Sequence, residues 1–268
     1  MANKSMSPFM TAEQARGAGF EFTDPEPKHC EYCGEPMEPL CIEGREGHLL
    51  WISCVPCTCD GARQAEELAR KEQEERAARE LEQAYARSGI KKRFLGAEVE
   101  RPQLARYLNS FNDEPSVGLY ITGPSRAGKS HSASALAKAF VASGYRTVLT
   151  TSIAMLDDVK ASFDGGAKAG AARFSSCDVL IIDDLGKENA NSWVMTTLFQ
   201  IINDRYEAMK PTIITSQYTP DELCRRMSRA GERESAVAIT ERLKETCRLV
   251  TLPRRKSVYL VEAGLSET

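Results

Sequence analysis

Gly123-Pro124-Ser125-Arg126-Ala127-Gly128-Lys129-Ser130 decides how the rest of the chain is read. These eight residues fit the Walker A pattern, Gly, four residues, Gly-Lys-Ser/Thr, without exception. Ahead of them Val117-Gly118-Leu119-Tyr120-Ile121-Thr122 reads as a short buried strand. Behind them the alanine-rich run Ser132–Phe140 reads as a helix. A glycine-rich turn between strand and helix aims successive backbone N–H groups at one point, where the positive end of the helix dipole also lies. Phosphates bind at such a point. Lys129 is placed to reach the β- and γ-phosphates of ATP, and Ser130 to offer its hydroxyl to Mg²⁺.

A second motif lies downstream. Val179-Leu180-Ile181-Ile182-Asp183-Asp184 is an apolar run ending in two acids, the Walker B form. A buried strand of this kind delivers Asp183 to the edge of the sheet beside the phosphate loop, where it would hold Mg²⁺ directly or through water. Asp184 would orient or deprotonate the attacking water. Its side chain is one methylene shorter than the glutamate usual there, so slow turnover is expected. A further apolar strand, Thr212-Ile213-Ile214-Thr215-Ser216-Gln217, is expected next to it. Thr215, Ser216 and Gln217 are its candidates for sensing the γ-phosphate, and strand capping explains them as well.

Around these motifs strand-like and helix-like segments alternate. The pattern predicts strands over 146–152, 177–184, 212–217 and 248–252, with helices over 101–108, 153–163, 192–209, 220–227 and 235–246. Alternation of this kind makes an α/β fold, a mostly parallel sheet covered by helices on both faces. Asp164-Gly165-Gly166-Ala167-Lys168-Ala169-Gly170 reads as the most flexible loop of the domain.

The N-terminal part has a different chemistry. Six of the nine cysteines fall between Cys30 and Cys59. No apolar leader core and no bilayer-length apolar run is seen, so a cytoplasmic chain is expected. Disulfides are disfavoured there, and clustered cysteines suggest metal. Cys30-Glu31-Tyr32-Cys33-Gly34 has the form of a zinc knuckle. The preferred ligand set for Zn²⁺ is Cys30, Cys33, Cys57 and Cys59, with Cys54 the leading alternative and His29 or His48 as further candidates. Cys41 reads as a small buried side chain. Four protein ligands leave no open position, so the zinc would be structural. The region before it, residues 1–27, reads as a loose lead-in.

Residues 60–88 are rich in Ala, Glu, Arg and Gln and read as one long solvated helix, with Asp60 as cap and Gly89 just past its end. Three parts follow: 1–60, a zinc-binding, partner-binding module; 61–89, a helical linker; and 90–268, the ATPase domain. Charge separates them too. Residues 1–60 hold four Lys/Arg against ten Asp/Glu, so within a whole-chain charge of −3 the remainder is about +3. An acidic piece grips a phosphate backbone poorly, so the first part should meet protein and the later part any nucleic acid.

Taken together, Gly-Pro-Ser-Arg-Ala-Gly-Lys-Ser, Leu-Ile-Ile-Asp-Asp-Leu-Gly, Thr-Ile-Ile-Thr-Ser-Gln and Ile239-Thr240-Glu241-Arg242-Leu243-Lys244 resemble the DnaC/DnaI/IstB branch of AAA+ ATPases over residues 90–255. The cysteine-rich piece ahead of the ATPase resembles the DnaI type. That resemblance implies an ATP-dependent helicase loader that engages a replicative helicase through the zinc module and assists its loading on single-stranded DNA. It implies Arg242 as an arginine finger donated to a neighbouring subunit, hence an ATP-dependent homo-oligomer. It further implies a sensor arginine near the C-terminus, Arg254 or Arg255, and a sensor position where Gln217 replaces the usual Asn. Lys160, Lys168 and Arg173 fall in the region that contacts single-stranded DNA in such loaders. The alternatives are an IstB-like transposition helper and an ATP-switched adaptor with negligible hydrolysis. A small-molecule kinase would need an arginine-rich lid over an acceptor pocket, and the sequence offers neither.

Overall fold

A computed structural model describes residues 9–44, 48–162, 167–229 and 233–254, of 167–169 the backbone alone. Arg255, the side chain of Lys168 and the first half of the expected 164–170 loop lie outside the described residues. The chain divides into two compact units, Met1–Arg79 and Glu80–Thr268.

The first unit is built from short antiparallel pieces. β1 (Met10–Thr11), β4 (Pro39–Glu43) and β5 (Leu49–Cys54) form a three-stranded sheet in the order β1-β4-β5. β2 (Lys28–His29) and β3 (Pro36–Met37) form a separate hairpin. The lead-in is therefore not loose over residues 10–17, whereas 20–27 form no regular element. Met10 pairs with Cys41, and α1 (Ala12–Gly17) follows at once. Thr11 accepts from the Gln14 N–H while the Gln14 side chain accepts from the Thr11 N–H, a reciprocal capping box that starts even a six-residue helix. Cys41 is fully buried, its thiol against the Met10 carbonyl.

α2 (Asp60–Arg87) is the long helix expected. None of its described residues is buried, and ion pairs such as Lys71–Glu67 line its surface. Its cap differs from expectation. Cys59, not Asp60, takes that place, since its carbonyl accepts from the Arg63 N–H and its thiol from the Ala62 N–H.

In the second unit five parallel strands form one sheet in the order β10-β6-β9-β8-β7. They are β6 (Gly118–Thr122), β7 (Thr147–Thr151), β8 (Val179–Leu185), β9 (Thr212–Ser216) and β10 (Cys247–Thr251). Successive side chains point to opposite faces. Leu119, Ile121, Val179, Ile181 and Ile213 pack with α3 (Pro102–Ser110) and α4 (Lys129–Ala142). Tyr120, Leu180, Ile182 and Ile214 pack with α5 (Ser152–Ala161), α6 (Ala167–Ser176), α7 (Ser192–Glu207), α8 (Pro220–Ser228) and α9 (Arg233–Thr246). Helices therefore cover both faces, and the apolar strands need no polar side.

In the second unit α6 is a helix where the sequence pattern reads as a loop. A Cβ on Gly170 would lie 2.6 Å from Ser162 Oγ and 3.2 Å from Val159 Cα. The glycine there permits close packing of α6 on α5, although in the sequence the same residue suggests flexibility. Among the described residues no helix is long and apolar enough to cross a membrane.

Candidate functional site

The phosphate loop runs from the end of β6 to the start of α4, at the carboxyl edge of the central strand. Gly123 is required by crowding, since a Cβ there would fall 2.3 Å from the Leu252 carbonyl oxygen. Gly128 caps α4 at φ +90° and Arg126 sits at φ +65°. A left-handed residue at the helix start turns the loop N–H groups inward as a nest for an anion. Pro124, Ser125 and Arg126 are exposed, while Ala127 is buried. The buried Lys129 folds back on its own loop, donating to the carbonyls of Gly123 (2.8 Å) and Pro124 (2.9 Å). Burial pulls its ammonium below the ordinary lysine value, against the opposing pull of Asp184 and Asp183.

The two acids at the end of β8 behave differently. Asp183 Oδ1 accepts from Thr215 Oγ1 at 2.5 Å and also faces the Ser130 hydroxyl. Burial raises its carboxyl above the usual aspartate range, opposed by those two hydroxyls. A half-buried acid penalised for its charge, beside a serine of the phosphate loop, is a fitting donor set for a divalent cation. Asp184 is turned away from the strand at φ +62°, a left-handed conformation that costs a non-glycine residue roughly 1–2 kcal/mol. The pairing of β8 with β9 slips there, between Ile182 and Leu185. The Asp184 N–H donates to Thr215 Oγ1 (2.9 Å), and its carboxylate is paired with Lys187 Nζ (2.8 Å).

Thr215 thus binds both acids and is fully buried, whereas Gln217 stands exposed just past the end of β9. Ser216 ties the Leu185 carbonyl to the turn after β9. Two residues of this neighbourhood escaped the sequence reading. Lys187 carries no motif signal. Glu188 is buried, and only the fold reveals that its carboxylate bends back to the Gly186 N–H.

Arg242 lies on α9, between the rings of Phe199 (4.9 Å) and Tyr206 (5.4 Å) of α7. It donates to the Ala238 carbonyl, and its buried Nε has no hydrogen-bond partner among the described residues. Arg254 is exposed beyond β10. Lys160 and Arg173 are exposed on α5 and α6, where Arg173 approaches Asp158 at 3.9 Å.

In the first unit the thiols of Cys30, Cys33, Cys57 and Cys59 all lie within 4.8 Å of one another. Cys54, His29 and His48 are not in the group. The Cys30–Cys59 and Cys33–Cys57 sulfur separations are 3.8 and 3.5 Å. A tetrahedron with Zn–S bonds of about 2.3 Å has edges of about 3.8 Å, so the four thiols fit zinc. The turn that presents the first pair is closed by Cys30 N–H to Glu35 and Gly34 N–H to Cys30, with Gly34 at φ +76°. The N–H groups of Tyr32 and Cys33 pull the Cys30 thiol down to about 7. A backbone N–H at Glu35 pulls Cys33 the same way, but the Cys57 thiol and burial push it up to about 12.

A glycine loop closing on α4, an acid delivered by the next strand but one, and the strand order β10-β6-β9-β8-β7 define a P-loop nucleotide-binding protein of the AAA+ type. The chain belongs to the family of IstB-like ATP binding proteins, whose family model matches residues 103–258. It is similar to the replicative helicase loader DnaI of Bacillus subtilis (strain 168), with 27% identity over 154 residues, 56% of this chain and 49% of that protein. It is also similar to a putative insertion sequence ATP-binding protein of Sinorhizobium fredii (strain NBRC 101917 / NGR234), with 28% identity over 100 residues, 37% of this chain and 34% of that one. The match thus spans about half the length of DnaI. Among solved structures, the DnaC helicase loader superposes with a TM-score of 0.52 at 24% identity, covering 60% of this chain and 99% of that one. DnaI gives 0.51 at 24%, covering 56% and 83%. At that identity the likeness is one of fold.

Proposed function

We propose that the chain is a cytoplasmic ATPase that binds a replicative DNA helicase and assists its loading on single-stranded DNA. The observation that carries the ATPase half is the meeting of Lys129, Ser130, Asp183, Asp184 and Thr215 at one edge of the sheet. The similarity to DnaI and the four-thiol module support the loader half. In this reading residues 1–60 are the partner-binding module, 61–89 the linker and 90–268 the ATPase domain.

The main-chain N–H groups of 123–130 cradle the phosphates. Lys129 leaves the Gly123 and Pro124 carbonyls for the β- and γ-phosphates, a short swing that exchanges two neutral acceptors for anionic ones. Ser130 and Asp183 would hold Mg²⁺, which when bound supplies positive charge against the phosphate oxygens. Asp184 orients the attacking water once Lys187 releases it. Gln217, one residue beyond the buried sensor strand, is left to contact the γ-phosphate or the water. Arg242 of a neighbouring subunit stabilises charge on the transferring group, which requires it to leave the Phe199–Tyr206 sandwich and ties hydrolysis to assembly.

Lys129→Ala tests the nucleotide site. Its expected outcome is loss of ATP binding by at least about 100-fold with the fold intact, read by titration of a fluorescent ATP analogue. Unchanged affinity would end the reading. The second reading, a transposition helper, is favoured by the Sinorhizobium relative. Capture of a hexameric replicative helicase by the full chain, in zinc and ATP, separates the two.

A further inference from the structure

Glu188 is a buried carboxylate outside both nucleotide motifs, and three elements converge on it. Its two oxygens accept the Gly186 N–H at 3.1 and 3.0 Å. Oε2 also accepts the hydroxyl of Ser152 at 2.6 Å, and that hydroxyl lies 3.3 Å from the Asp184 carbonyl. Ser152 is itself buried and is the first residue of α5. On the other side of the same residue, the Gly186 carbonyl accepts from Arg226 Nε of α8 at 2.6 Å, with the guanidinium over the Tyr218 ring. The segment held in this way contains the two left-handed residues that end β8, Asp184 at φ +62° and Gly186 at φ +97°.

Left-handed backbone at an aspartate persists only where the surroundings over-determine it. Thr215 fixes the Asp184 N–H from below, while Ser152 and Glu188 fix the carbonyl side and the turn beyond. With that turn released, Asp184 would relax toward ordinary strand geometry. Its side chain would then cross to the opposite face of the sheet, because neighbouring strand residues alternate. We propose that Glu188 is a positioning residue for ATP hydrolysis: with Ser152 it clamps the Asp184–Gly186 turn so that the Asp184 carboxylate stays on the nucleotide side. This rests on the hydrolysis reading above and adds a residue that no part of the two motifs supplies. Because Ser152 begins α5, the clamp also joins the end of β8 to the α5–α6 pair that carries Lys160 and Arg173.

The test is steady-state ATPase of the full chain, beside nucleotide affinity, for Glu188→Ala, Glu188→Gln and Ser152→Ala. Loss of the acceptor misplaces Asp184 without touching the phosphate loop. Glu188→Ala is therefore expected to lower kcat by about 10- to 100-fold, with the nucleotide Kd within about twofold of the unaltered chain. Glu188→Gln keeps one oxygen for the Gly186 N–H and should recover most of the rate. Ser152→Ala should lower kcat in the same direction, and it serves where Glu188→Ala folds poorly. In an Asp184→Asn background Glu188→Ala should cost little more, since it acts through the residue already removed. An equal loss in both backgrounds, or an unchanged kcat, would overturn the assignment while leaving the ATPase standing. Tight ATP binding without turnover in the unaltered chain would instead remove the hydrolysis reading, and this inference with it.

Discussion

Arg205 shows how much of this fold rests on a residue without a motif. Its guanidinium is fully buried and donates to the carbonyls of Phe174 (2.9 Å), Cys177 (2.8 Å), Asp178 (3.2 Å) and Pro211 (2.6 Å), and to Thr212 Oγ1 (3.0 Å). These acceptors belong to the end of α6, the lead into β8 and the start of β9. Desolvation pulls the guanidinium below its ordinary value, yet arginine remains charged, and the five acceptors replace its lost hydration. Removing it would leave several buried carbonyls without a donor. Arg205→Met is expected to destabilise the second unit by about 3–5 kcal/mol in denaturant unfolding. Arg205→Lys should restore only part, because an ammonium cannot fork across three segments. Nothing in the sequence around Asp204-Arg205-Tyr206 distinguishes this arginine from a solvated one on an amphipathic helix. A loss below about 1 kcal/mol would mean that the carbonyls find water.

The joint between α2 and β7 is decided by one glycine, and here the sequence was legible. Gly89 sits just past the helix at φ +89°, its N–H on Ala86 and the next N–H, of Ile90, on Tyr85. That is the Schellman ending that a glycine after a long helix announces. The structure adds that Leu149 of β7 donates to the Ser88 carbonyl (2.7 Å), and that a Cβ at Gly89 would fall 2.0 Å from the Leu149 carbonyl oxygen. Gly89→Ala therefore meets both strain and a backbone collision. A loss of about 2 kcal/mol or more is expected, seen as a fall of several degrees in the melting temperature of the second unit. An unchanged Tm would show that the helix end is not held on the strand. The five strands were legible to within two residues at each end: β6, β8 and β9 as apolar runs buried on both faces, and β7 and the more exposed β10 from the alternation of strand-like and helix-like segments. α6 was not, because a glycine needed for helix contact looks the same in sequence as a glycine in a loop. The phosphate loop and Asp183 were equally plain, being set by spacing alone. Thr215 was a candidate for the γ-phosphate, but its hold on both aspartates was not legible, and Lys187 and Glu188 carry no motif, because these roles depend on which segments lie side by side.

At the scale of the whole chain the two units stand on different physics. The second has an extensive apolar core on both faces of its sheet. Among the described residues of the first, the buried hydrophobic side chains are Ala15, Cys30 and Cys41. Three small side chains cannot offset the conformational entropy of ordering such a segment, at roughly 1–2 kcal/mol per residue for the backbone alone. Its sheet is short, and Leu50 and Ile52 of β5 are exposed. What remains is the four-thiol cluster, and structural zinc in small modules supplies an apparent binding energy of about 10–16 kcal/mol at neutral pH. The stability of the first unit should therefore be metal stability. A strong chelator, or Cys57→Ser, is expected to unfold residues 9–59, read as loss of their protection from hydrogen exchange and from protease. ATP affinity of the second unit should change by less than about twofold, and helicase capture should vanish with the first unit. Added Zn²⁺ should restore the chelated chain but not the Cys57→Ser variant, since three thiolates leave the tetrahedron open. Persistence of the strand protection in metal-free protein would show that the cysteines are reduced core residues, and the module would then need another source of order.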